Sequence, residues 1–218
     1  MSPKAVLFDF DGVIVDTENI HIAAWQRTML RMGWELTDDA CARAAEIDDR
    51  VFLTELFAAR KMDGADIDGW VRQKQDLAET MLADAPRVYP GVVPLIDELR
   101  GKTRLGIVTT TWRRNVTIVL NALGLADAFE VIVAKEDVAQ VKPAPDAYHL
   151  ALRRMTLTPD DAIAIEDSPT GVVSARAAGL RVIAVGHRRP EGAWSADCRF
   201  LAEFTDTTRA MDAVGRSS

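Results

Sequence analysis

Apolar residues fall into two kinds of run along this chain. Ala5-Val6-Leu7-Phe8 is short and unbroken, and it stops abruptly at Asp9-Phe10-Asp11-Gly12. Such a run predicts a buried strand ending in a polar turn. Similar runs recur at Leu105-Gly106-Ile107-Val108, Val131-Ile132-Val133, Ala162-Ile163-Ala164-Ile165 and Val182-Ile183-Ala184-Val185. Between them the apolar residues follow i, i+3, i+4, i+7 spacing, at Val116, Val119, Leu120, Leu123 and again at Tyr148, Ala151, Leu152, Met155. That spacing predicts amphipathic helices. Short apolar strands alternating with helices predict an α/β fold, a Rossmann-like parallel sheet with helices on both faces.

Residues 17–85 interrupt this alternation. Trp25, Met29 and Met32 sit at i, i+4, i+7 with Gly33 as a stop signal, and segments 38–60 and 66–83 are helical in pattern, with no convincing strand. The first strand cannot be stable alone and is expected to join the later sheet. The predicted organisation is a core domain of residues 1–16 and 86–218, with a helical cap domain, 17–85, inserted after the first strand. Pro86, Pro90, Gly91 and Pro94 mark the return crossing.

Composition adds limits. The 218 residues are 48% apolar and 27% charged, as in ordinary globular proteins, and the formal net charge of −7 argues against a nucleic-acid or anionic-membrane partner. Attraction for an anionic ligand must then be local. Cys41 and Cys198 form no metal-ligand pattern and no disulfide framework. Residues 5–10 are cut by Asp9 and Asp11, so they resemble neither a signal segment nor a membrane span. A cytoplasmic location and a monomer or weak homodimer are the expectations.

Four polar signals stand at the carboxyl ends of predicted strands, where open parallel sheets place their ligands: Asp9 and Asp11, Thr109, Lys142 with its Pro143-Ala144-Pro145-Asp146, and Glu166-Asp167. Taken singly, each has a plain alternative: turn-forming acids, a capping hydroxyl, a solvated lysine. Ser168 and Pro169 also read as the N-cap and first residue of a helix. Taken together they carry chemistry. Clustered carboxylates repel and call for a divalent cation, and hard oxygen ligands suit Mg²⁺. A lysine beside them neutralises a carboxylate and a phosphate, and a threonine hydroxyl donates to a phosphoryl oxygen. Phosphoryl transfer requires these parts.

The order Asp-x-Asp-Gly, strand-Thr, Lys-Pro-x-Pro-Asp, Glu-Asp-Ser resembles the haloacid-dehalogenase superfamily over essentially the whole chain. Phe8-Asp9-Phe10-Asp11-Gly12-Val13-Ile14-Val15-Asp16-Thr17 and Val141-Lys142-Pro143-Ala144-Pro145-Asp146 are similar to its β-phosphoglucomutase and CbbY-type phosphatase branch. The resemblance implies that Asp9 attacks phosphorus and becomes an aspartyl phosphate. It implies that Asp11 protonates the leaving oxygen and later activates water, and that Thr109 and Lys142 hold the transferring group. Mg²⁺ would bind Asp9, the backbone carbonyl of Asp11, and Asp167, with Glu166 in or next to the shell. An acid at position 11 favours phosphate over halide chemistry, because a departing halide needs no proton.

Substrate choice is expected from the cap and loops. The resemblance places His21 near the leaving group and Arg50 at a distal phosphate. Glu46-Ile47-Asp48-Asp49 departs from the Gly-rich approach that the branch has before that arginine. Thr110 and Thr111 resemble the Thr run of CbbY-type phosphatases, and Arg113 is either a clamp for a second anion or an exposed first-turn arginine. Trp112 is a substrate wall or an edge-packing aromatic, and Arg72 and Lys74 are ambiguous cap cations. The expectation is a phosphatase for a small phosphorylated metabolite, with a sugar phosphate as the favoured class. A hexose-phosphate mutase and, remotely, a phospho-acceptor switch are the alternatives.

Overall fold

The computed structural model describes residues 2–62, 64–187, 190–194 and 198–215. In chain order the elements are β1 Ala5–Phe8, α1 Glu18–Leu30, α2 Asp38–Glu46, α3 Asp49–Ala59, α4 Ile67–Asp84, α5 Val92–Leu99, β2 Arg104–Val108, α6 Arg113–Ala122 and β3 Val131–Val133. They continue with α7 Asp146–Met155, β4 Ala162–Glu166, α8 Pro169–Ala177, β5 Arg181–Val185, β6 Arg199–Leu201 and α9 Thr207–Gly215. The chain divides into two compact units, Met1–Asp16 with Arg87–Ser218, and Thr17–Pro86.

The larger unit is built on a six-stranded sheet ordered β3-β2-β1-β4-β5-β6, in which every pairing is parallel. Parallel strands are covered on both faces, which is why β1, and β4 as far as Ile165, are apolar without alternation, and both strands are buried throughout. Ala5, Leu7, Val108 and Ala164 pack with Tyr148, Ala151 and Leu152 of α7 and Val172 and Ala175 of α8. Successive side chains alternate faces, so Val6 and Phe8 turn to the other side, and Phe8 meets Phe129 edge-on at 6.1 Å. Gly106 of β2 leaves room that a methyl would take from Leu7 and Val131. Chain progress reverses at β1, with β2 and β3 laid down on one side and β4, β5 and β6 on the other. The loops after β1 and β4 therefore flank the topological switch point of the sheet.

Three elements lie beyond the pattern in the sequence. Helix α5 contains Pro94, but at its third position, where an amide hydrogen has no intrahelical partner to lose. Strand β6 has three residues, too few for a period, and α9 follows it. Helix α1 ends at Leu30 rather than Met32. Gly33, at φ +73°, closes the turn after it.

The helical unit has its own core: Trp25 and Met29 of α1 against Phe52, Leu53, Leu56 and Phe57 of α3. Helices α2, α3 and α4 start on side-chain caps. Thr37 accepts from the Ala40 amide at 3.2 Å, Asp48 from Arg50 at 2.9 Å and Asp66 from Gly69 at 2.8 Å, each satisfying an otherwise orphaned donor. Cys41 and Cys198 are free thiols. No helix among the described residues is long and apolar enough to cross a membrane.

Candidate active site

The β-ladder runs one residue past β1, since the Asp9 amide donates to the Ile165 carbonyl at 2.9 Å. This fixes Asp9 at the switch point, buried, with its Oδ1 accepting from the Phe10 amide at 2.7 Å. Asp11 follows in the turn and its carboxylate accepts from the Thr111 hydroxyl. Gly12 completes the turn at φ +82°, and a methyl there would overlap the Asp167 carboxylate. Backbone conformation and space both require glycine at this position.

Beyond β2, the Thr109 amide donates to the Val133 carbonyl at 2.9 Å. The Thr109 hydroxyl oxygen accepts from the Thr111 amide at 3.0 Å, which leaves its own hydrogen to donate. Lys142 lies in a loop held by Ser174, whose hydroxyl donates to the Ala144 carbonyl at 2.6 Å. The buried ammonium spends its donors on the Val108 carbonyl at 2.8 Å, Glu166 Oε1 at 2.6 Å and Asp9 Oδ1 at 3.0 Å. Burial works against the charged form, but the Asp9 and Glu166 carboxylates outweigh it and hold the Lys142 pKa above the usual lysine range.

Glu166 ends β4 with no exposure. Its Oε1 accepts from Lys142 and, at 2.5 Å, from the Tyr148 hydroxyl, while Oε2 is buried without a hydrogen-bond partner. Burial first, and the Asp9 charge second, push the Glu166 carboxyl well above its ordinary pKa, with Lys142 pulling the other way. Asp9, Glu166 and Asp167 each bring a carboxylate oxygen within 4.8 Å of the others. Three clustered carboxylates, two of them paired with one lysine, one oxygen without a hydrogen-bond partner, and glycines at 12 and 171 where a methyl would displace Asp167 or Glu166 form a donor set that fits a hard divalent cation. Helix α8 starts directly after it, with Ser168 as N-cap accepting from Gly171 at 3.0 Å and Pro169 in the first turn.

The core unit thus brings together Asp9, Asp11, Thr109, Thr111, Lys142, Glu166 and Asp167. Thr111 serves Asp11 directly, and Thr110 is exposed. The Arg113 guanidinium is engaged within the fold, on Asp137 and on the Ile132 carbonyl at 2.9 Å. Trp112 is 50% exposed with the Lys135 ammonium 5.3 Å from its ring centre. In the helical unit, Arg50 pairs with Asp68 at the surface. His21 joins a buried polar cluster that the sequence did not announce. The Lys74 ammonium donates to both Asp49 oxygens at 2.9 Å and to His21 Nδ1 at 3.1 Å. Trp25 Nε1 and the Gln75 amide also donate to Asp49, at 3.0 and 2.5 Å. Burial, then the Lys74 charge, lowers the His21 pKa to about 4, so the ring is neutral near pH 7. Tyr148 was legible only as an apolar stripe position. The signal available was its hydroxyl, because a tyrosine buried among alanines and leucines needs a polar partner.

Residues 6–185 match the haloacid dehalogenase-like hydrolase family. The protein CbbY of Rhodobacter capsulatus is 37% identical over 193 residues, covering 84% of this chain and 85% of its own. The fructose-1-phosphate phosphatase YqaB of Escherichia coli is 30% identical over 182 residues, covering 83% and 95%. A solved structure described as a putative β-phosphoglucomutase from Thermotoga maritima superposes with a TM-score of 0.84 at 26% identity, over 96% of this chain and 98% of that one. With the strand-end carboxylates, lysine and threonine in this order on a parallel sheet, the chain belongs to the haloacid dehalogenase-like hydrolase family.

Proposed function

We propose that the chain is a magnesium-dependent phosphatase of small phosphorylated sugars, acting through a phosphorylated Asp9. The observation that carries this reading is the buried Asp9–Lys142–Glu166 bridge beside Asp167, with the Thr109 hydroxyl at the neighbouring strand end. An Asp9 carboxylate oxygen attacks phosphorus as the bond from phosphorus to the sugar oxygen breaks. The leaving oxygen takes its proton from Asp11, which Thr111 orients. Water then attacks phosphorus, gives its proton to the Asp11 carboxylate, and the bond to Asp9 breaks to release inorganic phosphate. Lys142 and Thr109 hold the phosphoryl oxygens through both steps. Asp9, Glu166, Asp167 and the Asp11 carbonyl would hold Mg²⁺, which when bound supplies positive charge against the negative charge of the transferring group.

Sugar phosphates are supported by the similarity to a fructose-1-phosphate phosphatase. A mutase must hold a second phosphate while the intermediate turns around. Arg50, the cap cation expected at a distal phosphate, is already paired with Asp68, and Lys74 is paired with Asp49, so hydrolysis is the preferred reading. The test is phosphate release from a panel of sugar monophosphates with Mg²⁺ and with excess EDTA. Turnover in Mg²⁺ that vanishes in EDTA is expected. Full turnover in EDTA, or sugar isomers formed faster than free phosphate, would overturn the reading.

A further inference from the structure

The geometry points to Tyr148 as a positioning residue for Glu166, one that fixes which carboxylate oxygen is left to the cation. This inference rests on the magnesium reading above. Tyr148 has no exposure and its ring is locked in the core with Ala151, Leu152 and Val172. From that fixed seat its hydroxyl donates to Glu166 Oε1 at 2.5 Å, the same oxygen that takes the Lys142 ammonium at 2.6 Å. Two donors converge on one oxygen and none on the other, since Oε2 is buried and has no hydrogen-bond partner. Without the phenol, Oε1 keeps only the lysine, which is shared with Asp9 and Val108. The carboxylate is then free to rotate and offer either oxygen. Helix α7, which carries Tyr148, begins four residues after Lys142, so one segment presents both donors. Partners of metal-binding carboxylates at one remove contribute about 10–100-fold in metal affinity when removed.

The test is isothermal titration of Mg²⁺ into the wild-type chain and Tyr148→Phe without substrate, with thermal melts of both in EDTA and in saturating Mg²⁺. Leu152→Ala, on the same helix and in the same core, is the packing control. The expected result is Mg²⁺ affinity weaker by about 10-fold or more in Tyr148→Phe, a smaller Mg²⁺-induced rise in melting temperature, and unchanged affinity in the less stable Leu152→Ala. Wild-type binding with an unchanged affinity in Tyr148→Phe would overturn the role of Tyr148 and leave the metal reading standing. No Mg²⁺ binding to the wild type would overturn the metal reading itself.

Discussion

Two lysines are buried in this protein and their surroundings differ in kind. Lys74, in the helical unit, has one carboxylate, Asp49, which is also held by Trp25 and Gln75. Charge there is balanced, and burial outweighs the partner, so the Lys74 pKa falls below the usual lysine value. Lys142, in the core, faces Asp9 and Glu166 with Asp167 beside them, and its pKa is held above the usual value by those acids despite burial. The helical cluster pairs one lysine with one acid, whereas the core cluster gathers three carboxylates within 4.8 Å of one another and leaves Glu166 Oε2 without a hydrogen-bond partner. On the proposed reading, that difference sets a cluster whose charges pair within the helical unit apart from a site for a cation and a phosphoryl group.

On the proposed reading the chemistry lies in the core unit, and a core substitution that leaves the charge cluster alone tests it most sharply. Asp11→Asn is expected to lower turnover of a sugar phosphate by about 10²–10⁴-fold, the range for lost acid–base help. The loss should be much smaller for p-nitrophenyl phosphate, whose leaving group needs little protonation. Equal losses for both substrates would remove Asp11 from the proton transfer and blur the contrast between the units.

Next in size is the pair of lysine substitutions. Lys74→Met strands the Asp49 charge and should cost about 3–5 kcal/mol of stability, as broken buried pairs do, with no recovery on adding Mg²⁺. Lys142→Met also strands buried acids, but these are the proposed cation ligands, so its melting temperature should recover substantially in Mg²⁺. Chemical denaturation and melts with and without the metal distinguish the two. A Lys74→Met protein rescued by Mg²⁺ would break the comparison.

The distribution of legible and hidden features follows the same line. Asp9, Thr109 and Glu166 stood out in the sequence because each ends an unbroken apolar run, and Lys142 because of the Pro143-Ala144-Pro145-Asp146 that follows it. The sheet was readable because its strands are unalternating. The Lys74–Asp49–His21 cluster was not, since its members lie on separate helices of mixed composition and pairing between helices leaves no period in sequence. Tyr148 was masked by occupying an apolar stripe position, and α5 by a proline at a position that tolerates one.

The smallest expected effect concerns His21. Its pKa is about 4 in the folded chain against 6.5 for the ordinary group, so between these values the unfolded chain binds more protons. Stability should therefore be complete above about pH 6.5 and fall as the pH drops toward 4, by at most about 3 kcal/mol from this residue. His21→Gln should flatten that part of the stability profile while sparing Mg²⁺ affinity. An unchanged profile would take His21 out of the neutral, buried state.

The central claim is that Asp9 carries the phosphoryl group, and trapping that group tests it most directly. Enzyme quenched during turnover of a sugar phosphate, reduced with borohydride and mapped by mass spectrometry should show the reduced acyl site at Asp9 alone, and Asp9→Asn should show none. Modification at Asp11 or Asp167 instead, or turnover in Asp9→Asn with no trapped site, would contradict the account.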